Sequence, residues 1–283
     1  MTIVPGRPGV DAAVAVLRGW RHDDTSVRLH PGDLGWFRRF GAEAADAAVR
    51  TWSRGDRVLA VGLLDGPDLL RLAIAPGHDR DGGLARRLVE DLRDPGRGVL
   101  PDGPVSVEAP AGALVRDLTA GEGWREGESW TPLRRDLAGP VADPGVRVEV
   151  VGPERAHVRA AVQRASFDGS TFDVARWRAM AAGPAYADAR CLVALDERGV
   201  AVAAVTVWSA GPGRPGLLEP LGVHREHRGR GHGRAIALAA AAALRELGSS
   251  SAVVRTPSAN AAAVATYGSA GFRRLGEERD LTR

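Results

Sequence analysis

The run Arg228-Gly229-Arg230-Gly231-His232-Gly233-Arg234 lies between an apolar, strand-like run, Leu217 to Val223, and an Ala-rich helical stretch reaching Leu247. Glycines let a backbone approach a ligand closely, and the start of a helix offers unpaired N–H groups at the positive end of its dipole. Such a turn suits phosphate or pyrophosphate. A Rossmann fingerprint needs G-x-G-x-x-G in a parallel βαβ unit, whereas here the spacing is G-x-G-x-G and the chain upstream reads as a hairpin. A Walker loop needs Gly-Lys followed by Ser or Thr, and the sequence contains no Lys. Downstream stand Asn260, Tyr267 and Gly271-Phe272. Seven residues are two helical turns, so Asn260 and Tyr267 read as sharing one side of a helix.

Glu219 lies in the apolar run LLEPLGV, where a carboxylate is costly without a partner or a task. One task is general base, since an ammonium must lose a proton before its nitrogen can attack. The other reading is an edge-strand Glu facing solvent. Tyr267 likewise reads either as a proton donor or as a ring packed on its neighbours. His224, His227 and His232 have no carboxylate or Cys at ligand spacing, so no metal is expected. Cys191, the single cysteine, excludes an intrachain disulfide framework and reads as a small buried hydrophobe. Phe167, Phe172, Trp177 and Trp208 could wall an acceptor pocket or belong to the core.

The elements around these residues occur twice. Arg80 and Arg228 are 148 residues apart, Pro110 and Pro257 are 147 apart, and Gly123-Trp124 lies 148 before Gly271-Phe272. Each half begins with one or two helices and a hairpin, turning at Ser53-Arg54-Gly55-Asp56 and at Asp196-Glu197-Arg198-Gly199. A glycine-containing loop, a helix, a short strand and a further helix follow. This constant offset predicts a tandem duplication. Domains are expected over 1–139 and 146–283, joined by the Pro- and Gly-containing linker AGPVADPG.

The 283 residues are 44% hydrophobic and 26% charged, a globular composition. No apolar run nears the roughly 18 residues of a membrane span, so no membrane partner is expected. Pro and Gly interrupt the N-terminal stretch where a signal peptide has its apolar core, and the expected location is cytoplasmic. All 38 basic residues are Arg and the net charge is only +3. The pI of about 9.9 therefore reflects the high pKa of guanidinium, and no nucleic-acid partner is expected.

R-x-x-G-x-G opening a helix after a strand resembles the pyrophosphate loop of the GCN5-related N-acetyltransferases, the GNAT family. EPLGVHREHRGRGHGRA with Asn260, Tyr267 and Gly271-Phe272 is similar to that family's run of fourth strand, loop, third helix, fifth strand and fourth helix. The resemblance covers residues 190–280 well and the first half more loosely. It implies an α/β (α+β) fold of two tandem GNAT-like domains, each a mixed, largely antiparallel sheet with helices on both sides. Acetyl-CoA is the implied co-substrate, with no metal. The implied partner is a small-molecule or peptide amine, and the implied assembly is a monomer or homodimer. By resemblance, the cofactor is held by Leu221, Val223, Arg228, Gly229, Arg230, Gly231, His232, Gly233, Arg234 and Asn260. The backbone N–H groups from Arg230 to Arg234 would cradle the pyrophosphate, and the Arg side chains would add attraction. The Val223 N–H would polarise the thioester, Tyr267 would protonate the thiolate, and Glu219 would be the base. Many members carry their base two residues earlier, where this chain has Leu217.

The second half departs from the pattern at Arg225, where proline is common. The first half departs further. Its loop reads Arg80-Asp81-Gly82-Gly83-Leu84-Ala85, with a carboxylate near the phosphates, and Pro76 to Arg80 is one residue longer than usual. Arg71 is the counterpart of Glu219, while Gly112 or Ala113 and Thr119 or Ala120 replace Asn260 and Tyr267. Chemistry is therefore expected in the second half, with the first half degenerate and mainly structural. A non-catalytic acyl-CoA-binding or sensor protein is the second reading.

Overall fold

The computed structural model describes residues 3–20 and 28–283. The first half runs β1 (Ile3–Gly6), α1 (Val10–Gly19), α2 (Pro31–Phe37), α3 (Ala42–Ala48), β2 (Val49–Arg54), β3 (Arg57–Leu64), β4 (Leu69–Ile74), α4 (Gly82–Arg93), β5 (Ser106–Glu108), α5 (Leu114–Ala120) and β6 (Arg125–Asp136). The second repeats it as β7 (Arg147–Val150), α6 (Ala156–Ser166), α7 (Val174–Ala181), β8 (Ala189–Leu195), β9 (Ala201–Ser209), β10 (Pro215–Val223), α8 (His232–Glu246), β11 (Ser251–Pro257) and α9 (Ala261–Ser269), closing with β12 (Arg273–Arg274) and β13 (Glu278–Thr282). Local signals account for the boundaries. His30 and Asp33 form a capping box at the start of α2, with the His30 N–H donating to Asp33 Oδ2 at 2.6 Å and the Gly32 N–H to His30 Nδ1 at 2.9 Å. Gly248 takes a left-handed conformation (φ +79°) just past α8, where its N–H donates to the Arg245 carbonyl.

The strands form one continuous sheet in the order β1-β2-β3-β4-β5-β13-β6-β11-β10-β9-β8-β7, with β12 paired to β6. Among the described residues only β4–β5 and β10–β11 pair in parallel. The fold is thus mixed and largely antiparallel with helices on both sides, as the family resemblance implied. The two halves also exchange their last strands. β6 of the first half lies beside β11 of the second, from Ser251↔Asp136 to Pro257↔Trp130. β13 of the second half lies beside β5 of the first, at Leu281↔Val107 and Thr282↔Ser106. Each half would otherwise leave the outer edge of its short parallel strand open, and duplicated edges accept either terminal strand.

Side-chain alternation divides the interior into three cores. Leu72, Leu84, Leu88 and Val107 pack under α4 and α5. Leu192, Ala194, Leu218, Ile236 and Leu244 pack under α8. The third core is shared: Leu17 and Leu34 of the first half meet Trp177, Val193, Trp208 and Leu217 of the second. α2 is seated on β9 and β10. A Cβ on Gly32 or Gly35 would stand 2.5 Å from Trp208, so only glycine admits that approach, and His30 Nε2 lies 3.0 Å from the Pro215 carbonyl oxygen.

Candidate active site

β10 pairs with β11 only from Pro215 to Leu217 and then separates from it, while its pairing with β9 continues to Val223. Between Leu218 and Leu221 the β9–β10 register slips by one residue, a bulge that holds Glu219 and Pro220. Trp208 Nε1 donates to the Glu219 carbonyl at 2.7 Å, fixing the bulge from the shared core. The half-buried Glu219 carboxyl makes no hydrogen bond or ion pair among the described residues. Burial pushes its pKa up to about 7; Arg71 opposes the rise, and Asp33 and Asp65 reinforce it. The solvent-facing edge position is therefore not what the fold provides.

Those charges belong to the first half. Arg71 on β4 pairs with Asp33 of α2 at 3.0 Å, Asp65 at 3.2 Å and Glu108 of β5 at 3.1 Å. Glu108 also meets Arg255 of β11 at 2.6 Å. Burial would raise Glu108, but Arg71 and Arg255 hold it below the usual carboxylate range. Beyond lie Arg28, Glu278 and Asp280, with Arg28 Nε 3.0 Å from Glu278 Oε2. A buried ion network thus runs between the halves and reaches Glu219. Sequence reading identified Arg71 as a lost base; in three dimensions it is a charge acting on the second half's carboxylate. A signal was present in LLRLAI and GDLGW, where charged residues interrupt apolar runs.

Tyr267 lies on α9, buried, its ring 5.6 Å from that of Phe272. Burial raises its pKa and the nearby Glu219 charge raises it further, so the phenol stays protonated. Tyr267 and Glu219 are brought within electrostatic reach although 48 residues separate them. Asn260 is the N-cap of α9 and accepts from the Ala263 N–H at 3.1 Å. Asn260 is exposed and Tyr267 buried.

The glycine loop opens α8 as expected. Gly229 and Gly231 have φ of +75° and +82°, and Gly231 is an N-cap without a side-chain cap. A Cβ on Gly233 would stand 2.8 Å from Thr266, so this glycine lets the helix start approach α9. The arginines are not uniformly directed at a ligand. Arg228 Nη2 donates to the Ser166 carbonyl at 2.7 Å and Arg234 Nε to the Ser269 carbonyl at 3.1 Å. Both tie the loop to the C-terminal ends of helices, where carbonyls lack helical partners. Arg225, in the departure from the family pattern, also binds α6, through Ala165 and Arg164. Arg230 and His232 remain at the loop surface. Leu221 and Val223 pair with Val205 and Ala203, while the His224 N–H donates to the Val202 carbonyl. This alternation turns the N–H groups of Leu221 and Val223 away from β9, towards the opening left by β11.

In the first half the equivalent helix start is closed by its own side chain. Asp81 N-caps α4, accepting from the N–H groups of Gly83 and Leu84 at 3.0 Å each, and pairs with Arg54 at 2.9 Å. Burial disfavours the charge, but these donors and His78 hold Asp81 at about 2. An internal carboxylate thus takes the N–H groups that a phosphate would use. No group of three or more His, Cys, Asp or Glu arranged to hold a metal occurs among the described residues. Trp208, Trp177 and Phe172 are core, and Cys191 is buried beside Thr206 at 3.2 Å.

Residues 161–272 match the model of the Acetyltransferase (GNAT) family. Among solved structures, the chain is similar to a GCN5-related N-acetyltransferase from Sphaerobacter thermophilus, at 18% identity and TM-score 0.61, over 99% of this chain and 95% of that one. It is also similar to a GNAT-family acetyltransferase from Colwellia psychrerythraea, at 13% identity and TM-score 0.61, over 100% and 98%. A tandem GNAT protein from the clavulanic acid biosynthesis pathway gives 16% identity and TM-score 0.54, over 99% and 98%. At these identities the likeness is one of fold. No curated protein matches in sequence. The family model spans the bulge, the glycine loop, α8, α9 and Phe272, so the second half of the chain is the part that matches the GNAT acetyltransferase family.

Proposed function

We propose that the second half binds acetyl-CoA and transfers its acetyl group to the amine of an acceptor. The observation that carries this is the contrast between the two helix starts: α4 is capped by Asp81, whereas α8 has three glycines and no side-chain cap. The pyrophosphate fits the N–H groups from Arg230 to Arg234, with Leu221 and Val223 contributing strand N–H groups to the rest of the cofactor and Asn260 its amide. Glu219 takes a proton from the acceptor ammonium. The freed nitrogen attacks the thioester carbonyl carbon, with the developing oxyanion facing the Val223 N–H. The C–S bond then breaks, the nitrogen gives its extra proton to solvent, and Tyr267 gives its proton to the departing thiolate. Solvent restores both groups. A carboxyl held at about 7 suits a base working near neutrality, and a phenol kept protonated suits an acid.

Thiol release from acetyl-CoA, followed with 5,5′-dithiobis(2-nitrobenzoate) across an amine panel, tests this reading. Tyr267→Phe removes one hydroxyl and should lower kcat by about 10²–10⁴-fold while leaving acetyl-CoA affinity nearly intact. Equal kcat in the variant would remove the tyrosine from the chemistry. In the wild type, activity should rise with pH through about 7 as Glu219 loses its proton. Glu219→Gln should be slow and should lack that acidic limb. A retained limb would assign the base elsewhere. A protein that binds acetyl-CoA but turns over no amine would be the sensor.

A further inference from the structure

Glu219 is placed by an indole. In the β9–β10 pairing Trp208 stands opposite Leu217, and the register breaks between Leu218 and Leu221, so Glu219 and Pro220 have no register partner on β9. Pro220 has no N–H with which to hold the bulge to a neighbouring strand. The bulge is held from the side instead: Trp208 reaches along β10 and donates from Nε1 to the Glu219 carbonyl at 2.7 Å. Fixing a residue's carbonyl fixes the direction in which its side chain leaves the strand, which is how a bulge aims a side chain. Glu219 is oriented in this way through its own backbone.

The indole is clamped by the first half. It is 1% exposed. A Cβ on Gly32 would stand 2.5 Å from Trp208 Cβ and Cγ, and one on Gly35 2.5 Å from Cζ3, so α2 lies along the length of the ring system. The Tyr186 ring packs edge-on against it, 6.0 Å between centroids and 77° between planes. α2 is tied to the same strand by His30, whose Nε2 lies 3.0 Å from the Pro215 carbonyl oxygen. A side chain packed on several sides and bonded at its tip is confined to one rotamer. Contact therefore runs from Gly32 and Gly35 of the first half, through Trp208, to the backbone of Glu219.

We infer that Trp208 is a positioning residue for Glu219, and that α2 acts on the second half's chemistry by holding that indole. This rests on the reading of Glu219 as the base. A base must stand within hydrogen-bond reach of the proton it takes, and a misplacement of about 1 Å can cost about 100-fold in rate. Leu221 and Val223 lie beyond the bulge, where pairing with β9 has resumed, so their N–H groups are held without the indole. The effect of Trp208 should thus fall on the proton transfer and spare the binding of acetyl-CoA.

The test uses the full chain with acetyl-CoA and the best amine of the panel. Benzothienylalanine in place of Trp208 keeps the shape of the ring system and exchanges the N–H for sulfur. It should lower kcat by about 10- to 100-fold while leaving acetyl-CoA affinity and the thermal melt close to those of the wild type. The acidic limb of the pH–rate profile should move to lower pH, because burial raises the Glu219 carboxyl to about 7 and a relaxed bulge lets water reach it. Gly35→Ala presses on the ring from the first half and should move the limb in the same direction. Wild-type kcat and an unmoved limb with the analogue would overturn the proposal and leave Trp208 as core alone. A limb that persists in Glu219→Gln would overturn the base reading beneath it, so the two failures are distinct. The analogue decides even if Gly35→Ala folds poorly.

Discussion

Gly231→Asp is expected to abolish acetyl-CoA binding. The residue caps α8 at φ +82°, a conformation that costs an L side chain roughly 1–2 kcal/mol. No atom stands within 4 Å of an added Cβ, so the effect comes from this strain and from charge rather than from a clash. A carboxylate there would occupy the anion position at the helix start, as Asp81 does on α4. Calorimetry should show affinity reduced about 100-fold or more, equivalent to ~3 kcal/mol. Gly231→Ala carries the backbone strain without the charge and should lose much less. Unchanged affinity in Gly231→Asp would place acetyl-CoA elsewhere and remove the main support for the proposed donor site.

Dividing the chain at its linker is expected to leave neither piece stable. Residues 146–283 lack β6, so the whole of β11 loses a partner along seven residue pairs, and β13 loses both of its neighbours. Residues 1–139 keep β6 with nothing on either side of it and leave the outer edge of β5 bare. Each piece also exposes its part of the shared core, including Leu34 on one side and Trp177 and Leu217 on the other. Unpaired edges beside exposed apolar surface favour aggregation. Produced together, the pieces should associate and recover acetyl-CoA binding. Size-exclusion chromatography with thermal melts by circular dichroism checks this. A monomeric 146–283 with a cooperative melt and full affinity would show that the strand exchange is dispensable.

The repeat, the hairpins, the glycine loop and α8 were legible because their signals are local. Hydrophobic periodicity sets the element type, and left-handed glycines mark Gly229, Gly231 and Gly248. Asp81 was legible as a departure, and its meaning followed once the helix start was seen: an Asp one residue before a helix finds two N–H groups ready to bind it. The loop arginines were half legible. Their charge was plain, but whether a guanidinium faces a ligand or a helix end depends on where α6 and α9 finish, and Arg228 and Arg234 proved to hold those ends.

The sequence by itself determined two copies of one α/β unit and which copy has a glycine loop without a capping side chain, because glycine, capping and alternation act between residues close along the chain. Only the tertiary structure decided what surrounds Glu219. The exchange of β6 and β13 is a choice between edges of similar pattern, which no local signal distinguishes. The network from Asp33 through Arg71, Glu108 and Arg255 joins residues from four distant elements. Charge–charge energies depend on distance and burial, and sequence separation reports neither. Glu219 and Arg71 occupy the same place in the two repeats, and packing the halves together makes one the neighbour on which the other's ionisation depends.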